Sequence, residues 1–269
     1  MIPKIIHYVW IGNSAKNPLI LKCIESWKRI LPDYQIVEWN NERFHREIHN
    51  GYAKEAYQYQ KWAFASDYIR LYALYNYGGF YFDSDLEITA NLEGFLNHDF
   101  ITGFEVYKDT CQPITALMGS EKGNPIIREL LSEYDQLPFL NKDGSPNLET
   151  NTSRITKHFE RTYHLCPPYT PDQQVYLNSS SVIYPSHFFC TPSAGKPNFS
   201  IHHFNGSWLD DYSRIDILRL RRVSLSIFKH RKQKTTYSLP LTNSERLILS
   251  LPLGLKLSIN IIHFAKREK

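Results

Sequence analysis

Two hydrophobic periods alternate along the chain. Ile5, Ile6, Tyr8, Val9 and Ile11 form an apolar run between Pro3 and Gly12, which predicts a central strand covered on both faces. Residues 18–30 then place Ile20, Cys23, Ile24, Trp27 and Ile30 at helical spacings behind Pro18, an amphipathic helix. Pro32 and Asp33 turn the chain, and YQIVEW alternates as a second strand. Strand, helix and strand in this order open an α/β nucleotide-binding half-sheet. In an open sheet of that kind the ligand lies beyond the carboxyl ends of the strands, here the loop GNSAKNP. Residues 41–60 are polar and read as helical.

Residues 62–88, WAFASDYIRLYALYNYGGFYFDSDLEI, hold the most informative pattern. Ala65, Tyr68, Ile69, Tyr72, Ala73 and Tyr75 keep helical spacing until Gly78 and Gly79 stop the helix. Alternation follows: Phe80, Phe82, Ser84 and Leu86 fall on one side of a strand, Tyr81, Asp83, Asp85 and Glu87 on the other. Three carboxylates on one face are costly unless solvent or a cation answers them, and a divalent metal does so economically. On the helix, Asp67 and Arg70 stand three apart and can pair on one face.

Downstream, DFITGFEV and PITALMGS read as strands, and GNPIIRELLSEYDQL as a helix capped by Asn124 with Pro125 at its first position. The segment LNKDGSPNLETNTSR, residues 140–154, is turn-rich and reads as a surface loop. SVIYP reads as a strand, and IHHFNGSW, residues 201–208, places two histidines beside a Gly-Ser-Trp. Beyond it the composition shifts to Leu, Ile, Val and Phe mixed with basic residues. Two units are therefore expected, a catalytic domain over 1–210 and a basic, amphipathic, helical extension over 211–269. Such an extension would suit a membrane surface or an acceptor.

The whole chain has 269 residues, 42% hydrophobic and 22% charged, with a net charge of +4, an ordinary globular balance with room for a substantial core. Four cysteines stand without a C-x-x-C pair, as suits reduced thiols in the cytoplasm. The first ten residues read as a strand and not a signal peptide, and no run of eighteen apolar residues follows. Neither G-x-G-x-x-G nor G-x-x-x-x-G-K-[ST] occurs, which argues against dinucleotide and P-loop chemistry. No nucleic-acid-binding fold or aromatic platform accompanies the basic residues.

The composite SDYIR, then GG, then YFDSD resembles the DXD signature of glycosyltransferase family 32, and its spacing is similar to that of the large clostridial glucosylating toxins. IPKIIHYVWIG and H-H-x-x-G-S-W are similar to the family's opening and closing phrases; the family's Thr-Gly-Pro triplet is replaced by NTSR at 151–154. The resemblance implies a GT-A-like nucleotide-diphosphosugar transferase fold, a Rossmann-like mixed sheet flanked by helices. It puts Asp67 and Arg70 on the transferred sugar, Tyr81, Asp83 and Asp85 at metal and diphosphate, and Trp10 on the nucleobase. His202 completes the metal's shell with His203 as the alternative, and Ser207 and Trp208 contact the diphosphate. Catalysis would then rest on Asp67, Arg70, Asp83 and Asp85, with Mn²⁺, or Mg²⁺ in its place, as cofactor. The implied reaction is retaining transfer of a hexose from a nucleotide sugar, UDP-linked by preference. The expected acceptor is a lipid-linked glycan at the inner face of a bacterial membrane, in capsule or O-antigen assembly. A toxin-like transfer to protein and a non-catalytic nucleotide-sugar-binding module are the alternatives.

Overall fold

A computed structural model of the protein describes residues 1–107, 110–114 and 116–205, and beyond them the backbone of four strands within 212–262. The chain forms two compact units, 1–205 and 206–269. The first opens with β1 (Ile5–Val9), α1 (Pro18–Ile30), β2 (Gln35–Trp39), α2 (Asn41–Glu47), α3 (Gly51–Gln58) and α4 (Trp62–Tyr77). Next come β3 (Gly79–Phe82), β4 (Leu86–Ile88), β5 (Phe100–Gly103), the hairpin β6 (Glu105–Tyr107) and β7 (Thr110–Gln112), and β8 (Leu117–Ser120). The unit closes with α5 (Pro125–Ser132), α6 (Asn151–Tyr163), β9 (Val175–Tyr176), β10 (Ser181–Tyr184), α7 (Ser186–Phe189) and β11 (Ser200–His202).

Seven strands make one mixed sheet in the order β2-β1-β3-β8-β5-β10-β9. β1 lies parallel to both neighbours, β8 runs antiparallel between β3 and β5, and β10 is parallel to β5. Each face carries its own core. Phe80 and Phe82 pack with Ile6, Tyr8 and the α1 residues Cys23 and Trp27. Tyr81, between them, packs on the other face with Ile69 and Leu74 of α4, and with Phe100 and Met118. Pleat alternation on β3 thus sends successive aromatics to opposite layers, and helices cover both faces, as expected of the mixed α/β class.

α4 is buried nearly all round, so it has no solvent stripe, and its two charged residues must find partners inside. It stops because Gly78 and Gly79 take φ of 68° and 96°, values that side chains with a Cβ resist. Gly79 is also needed for reach, since a Cβ there would lie 2.5 Å from the Ile5 carbonyl oxygen of β1. The four cysteines are free thiols.

Three expectations need correction. The acidic block is not one strand: β3 ends at Phe82, Asp83–Asp85 form a turn, and β4 leaves the main sheet to pair antiparallel with β11. Trp27 fixes this departure, its indole N–H donating to the Leu86 carbonyl at 2.7 Å. The expected loop at 140–154 gives way at its end to α6, capped by the Thr150 hydroxyl on the Ser153 N–H. Ile155, His158 and Phe159 supply its buried stripe. The helical extension is instead a four-stranded antiparallel sheet, β12 (Tyr212–Leu220), β13 (Val223–His230), β14 (Ser244–Ser250) and β15 (Leu255–Ile262), in the order β12-β13-β15-β14. The runs VSLSI and LKLSINI repeat with period two, the strand signal.

Candidate active site

Two polar clusters form around the turn that ends β3. In the first, Asp67 and Arg70 pair across one turn of α4, Arg70 Nη2 lying 3.3 Å from Asp67 Oδ1. The same nitrogen donates to Asp83 Oδ1 at 3.1 Å, so one guanidinium ties α4 to the end of β3. Its plane sits over the Tyr81 ring at 4.6 Å from the centroid, a contact that a flat, delocalised cation makes well. Asp67 Oδ2 accepts the Asn151 backbone N–H at 3.2 Å, at the positive end of the α6 dipole. The segment NTSR therefore supplies a main-chain donor to this carboxylate.

Asp67 and Arg70 are only 8% and 9% exposed, and their protonation follows from that. Burial pushes the Asp67 carboxyl up to about 7, with Arg70 and the Asn151 N–H pulling the other way. Burial would lower Arg70, but Asp83, Tyr81 and Asp67 outweigh it and hold the guanidinium charged. Burial likewise lifts the Tyr81 phenol well above its ordinary value, so it stays neutral.

The second cluster joins Asp85 to β11. Asp85 Oδ2 accepts the Asn205 N–H at 2.7 Å, and Oδ1 lies 3.6 Å from His202 Nε2, an ion-pair distance rather than a hydrogen bond. The other ring nitrogen, Nδ1, meets Glu105 Oε2 at 3.1 Å. Burial acts to raise Asp85, yet His202 and the Asn205 N–H bring it below the ordinary carboxylate value. For His202 burial acts downward, and the neighbouring Asp85, Cys190 and Glu105 overcome it, pushing the imidazole to about 12. His203 goes elsewhere. Its Nε2 bonds Glu87 Oε2 at 2.8 Å, where Lys22 also pairs at 2.8 Å. Adjacent strand residues face opposite ways, and this separates the two histidines.

The sequence-derived residues are thus gathered in part. Asp67, Arg70, Tyr81 and Asp83 meet, and Asp85 meets His202. Glu87, expected beside the two aspartates, is answered separately by Lys22 and His203. Trp10 is half-buried after β1, its N–H donating to the Ser14 carbonyl at 2.9 Å and Lys16 standing 5.5 Å over its ring. Asn41 pins the same loop through both the N–H and the carbonyl of Gly12, at 2.8 and 2.9 Å. Ser207 and Trp208 lie outside the described residues. His7, read as a core residue, bonds the Gly78 carbonyl at 2.9 Å and receives the Trp39 N–H at 3.2 Å. Burial lowers it to about 4 and keeps it neutral. Glu105 and Cys190 escaped the reading of the sequence, and no local motif marks either. With His202 they form a group whose ligand atoms lie within 4.8 Å of one another.

A divalent cation suits the second cluster. Two ligands at about 2.1 Å from one ion sit about 3 Å apart, close to the Asp85–His202 separation of 3.6 Å. Glu105 on the far nitrogen is the outer partner that metal-bound histidines usually keep. Glu105, Cys190 and His202 offer a second donor set, but its cysteine is fully buried.

Residues 19–102 match the family model described as the glycosyltransferase sugar-binding region containing DXD motif. That span runs from α1 into β5 and holds Asp67, Arg70, Asp83 and Asp85. Those residues carry the glycosyltransferase DXD region. It is 25% identical over 195 residues to an uncharacterized glycosyltransferase of Acanthamoeba polyphaga mimivirus, covering 70% of this chain and 75% of that one. It is 28% identical over 145 residues to inositol phosphoceramide mannosyltransferase 3 of Schizosaccharomyces pombe, covering 51% of this chain and 38% of that protein. Among solved structures, the PaToxG glycosyltransferase aligns with a TM-score of 0.45 and 21% identity over 60% of this chain and 69% of that one. A glycosyltransferase involved in the glycosylation of the major capsid of PBCV-1 aligns with a TM-score of 0.42 and 14% identity, over 77% and 96%. Glycosyltransferases of the DXD type usually work with a divalent metal, a nucleotide-sugar donor and a separate acceptor.

Proposed function

We propose that this glycosyltransferase moves a hexose from a nucleoside-diphosphate sugar, UDP-linked by preference, with Mn²⁺ held by Asp85 and His202 within a GT-A-like catalytic domain. The observation that carries this reading is the approach of His202, from β11, to Asp85 in the turn after β3, beside the Asp67–Arg70–Asp83 chain. A carboxylate with an imidazole suits Mn²⁺ better than Mg²⁺, which prefers oxygen ligands and its own waters. When bound, the ion neutralises charge that develops on the departing diphosphate.

The chain's own residues do the rest. Arg70, held charged, keeps Asp67 and Asp83 in place and presents a cation beside the donor. Asp67, with its remaining lone pairs, accepts hydroxyls of the sugar. The anomeric C–O bond breaks and its electron pair leaves with the diphosphate. The acceptor oxygen bonds the anomeric carbon on that same face, and its proton passes to a phosphate oxygen, so configuration is retained. Trp10 stacks on the base, and the family resemblance assigns Ser207 and Trp208 to the diphosphate.

A lipid-linked acceptor belongs to the same reading. It is supported by the relative named for inositol phosphoceramide and by the basic residues of the last sixty positions. Such an acceptor would bring the enzyme to the cytoplasmic face of a membrane, as in bacterial surface polysaccharide assembly. A thermal-shift panel of UDP, GDP and their hexose conjugates, with and without Mn²⁺, tests the donor directly. Stabilisation by a UDP-sugar that needs Mn²⁺ is the expected result; stabilisation by GDP-mannose alone would move the donor, and none by any nucleotide would end the proposal.

A further inference from the structure

The Asp67 end of the site holds polar atoms that the fold itself leaves unused. Asn151 is 3% exposed, and its backbone N–H already serves Asp67. Its side-chain oxygen faces the Tyr134 hydroxyl at 3.4 Å, while Nδ2 finds no hydrogen-bond partner among the described residues. Arg70 Nε, in the guanidinium whose Nη2 pairs with the other oxygen of that carboxylate, also finds none. A buried donor left unmade is a cost that proteins normally avoid. Two such donors, on the two residues that flank one carboxylate, point to a ligand that both accepts and donates.

We propose that Asn151, at the first turn of α6, is a donor-sugar contact that sets which hexose is accepted, its Nδ2 donating to a hydroxyl whose own proton goes to Asp67. This rests on the nucleotide-sugar reading above and names a residue within it. An ionised carboxylate has about four acceptor positions; Arg70 and the Asn151 N–H use two of those on Asp67, so capacity for a hydroxyl remains. A hexose hydroxyl is both donor and acceptor, matching Asp67 and Nδ2 together, whereas a phosphate has no proton for Asp67 and a base has no reason to be there. The geometry also bears on the Asn-Thr-Ser sequon, since an amide nitrogen so buried in the folded chain is closed to glycan attachment.

The test uses the full chain, UDP, UDP-hexoses and their monodeoxy analogues, with Mn²⁺. Wild-type enzyme should reject one deoxy analogue by tenfold or more, because the analogue leaves Nδ2 unpaired. Asn151→Ala should raise KM for the intact UDP-hexose about tenfold, erase that discrimination, and leave the affinity for free UDP within twofold. Asn151→Leu, close in volume but without the donor or a titratable group, should behave alike and carries the test if the alanine variant does not fold. Unchanged discrimination in either folded variant, or an equal loss of UDP and UDP-hexose affinity, overturns the proposal and makes Asn151 a structural residue. Absence of any nucleotide-sugar binding by the wild type overturns the nucleotide-sugar reading itself and this inference with it.

Discussion

Asp83 and Asp85 stand two residues apart, yet their surroundings have little in common. Asp83 is answered from the domain core, by an arginine on α4 that is itself tied to Asp67 and the α6 N-terminus. Asp85 is answered by β11, through His202 and the Asn205 N–H. The first arm is a charge network held within the fold through Arg70 Nη2, which serves both carboxylates, while Arg70 Nε finds no partner among the described residues. In the second, a protonated imidazole faces a carboxylate beyond hydrogen-bond range, an arrangement that a metal can replace by taking the place of the proton. The turn between β3 and β4 causes the split, because it turns one aspartate toward α4 and the other toward the second, two-stranded sheet. A D-x-D spacing therefore does not imply a shared role for its two carboxylates.

The sharpest way to break the first arm is Arg70→Ala. It leaves two carboxylates without their cation in a buried setting, which costs about 3–5 kcal/mol. Urea unfolding should show that loss, together with loss of donor turnover; a variant as stable as wild type would mean that Asp67 and Asp83 do not depend on Arg70. Asp85→Asn attacks the second arm, lowering metal-dependent donor hydrolysis by about 100- to 1,000-fold with little change in melting temperature. Wild-type turnover in that variant would remove Asp85 from the metal site.

Asp67 adds a pH signature confined to the first arm. Its folded carboxyl sits near 7, above the ordinary 3.8, so the folded state holds the proton more tightly. Its contribution to stability is complete below about pH 4 and is lost as pH rises through about 7, by about 2–4 kcal/mol. Unfolding free energies of wild type and Asp67→Asn, compared at pH 4.5 and 7.5, should differ in slope by that amount, with the variant flatter. The smallest effects separate the histidines. His202→Ala should weaken Mn²⁺ binding about 10- to 100-fold, whereas His203→Ala, which removes only a partly exposed pair with Glu87, should cost under about 1 kcal/mol and leave Mn²⁺ affinity unchanged. Calorimetric titration of both variants with Mn²⁺ and UDP checks the contrast.

Local pattern settled a good deal of this protein. α1 runs over the same residues, 18–30, that the apolar spacing marks out, and α4, its glycine stop and the aromatics of β3 follow from periods of 3.6 and two. Asp67 and Arg70 could be paired because residues three apart share a helix face, while Asp83 joined their site only through the family resemblance. His202 could be named from the closing motif, but choosing it over His203 took the pairing of β11 with β4, which is a register between distant segments. Glu105, Cys190 and Asn151 carry no local mark; each enters because a remote strand or helix end delivers it to an acid or imidazole. The strands of the second unit show the reverse case, since their period-two alternation is present in the chain alongside the basic residues that suggested an amphipathic helix. Periodicity is a property of neighbours and can be read along the chain, whereas the partner that a buried charge finds depends on which distant elements fold against it.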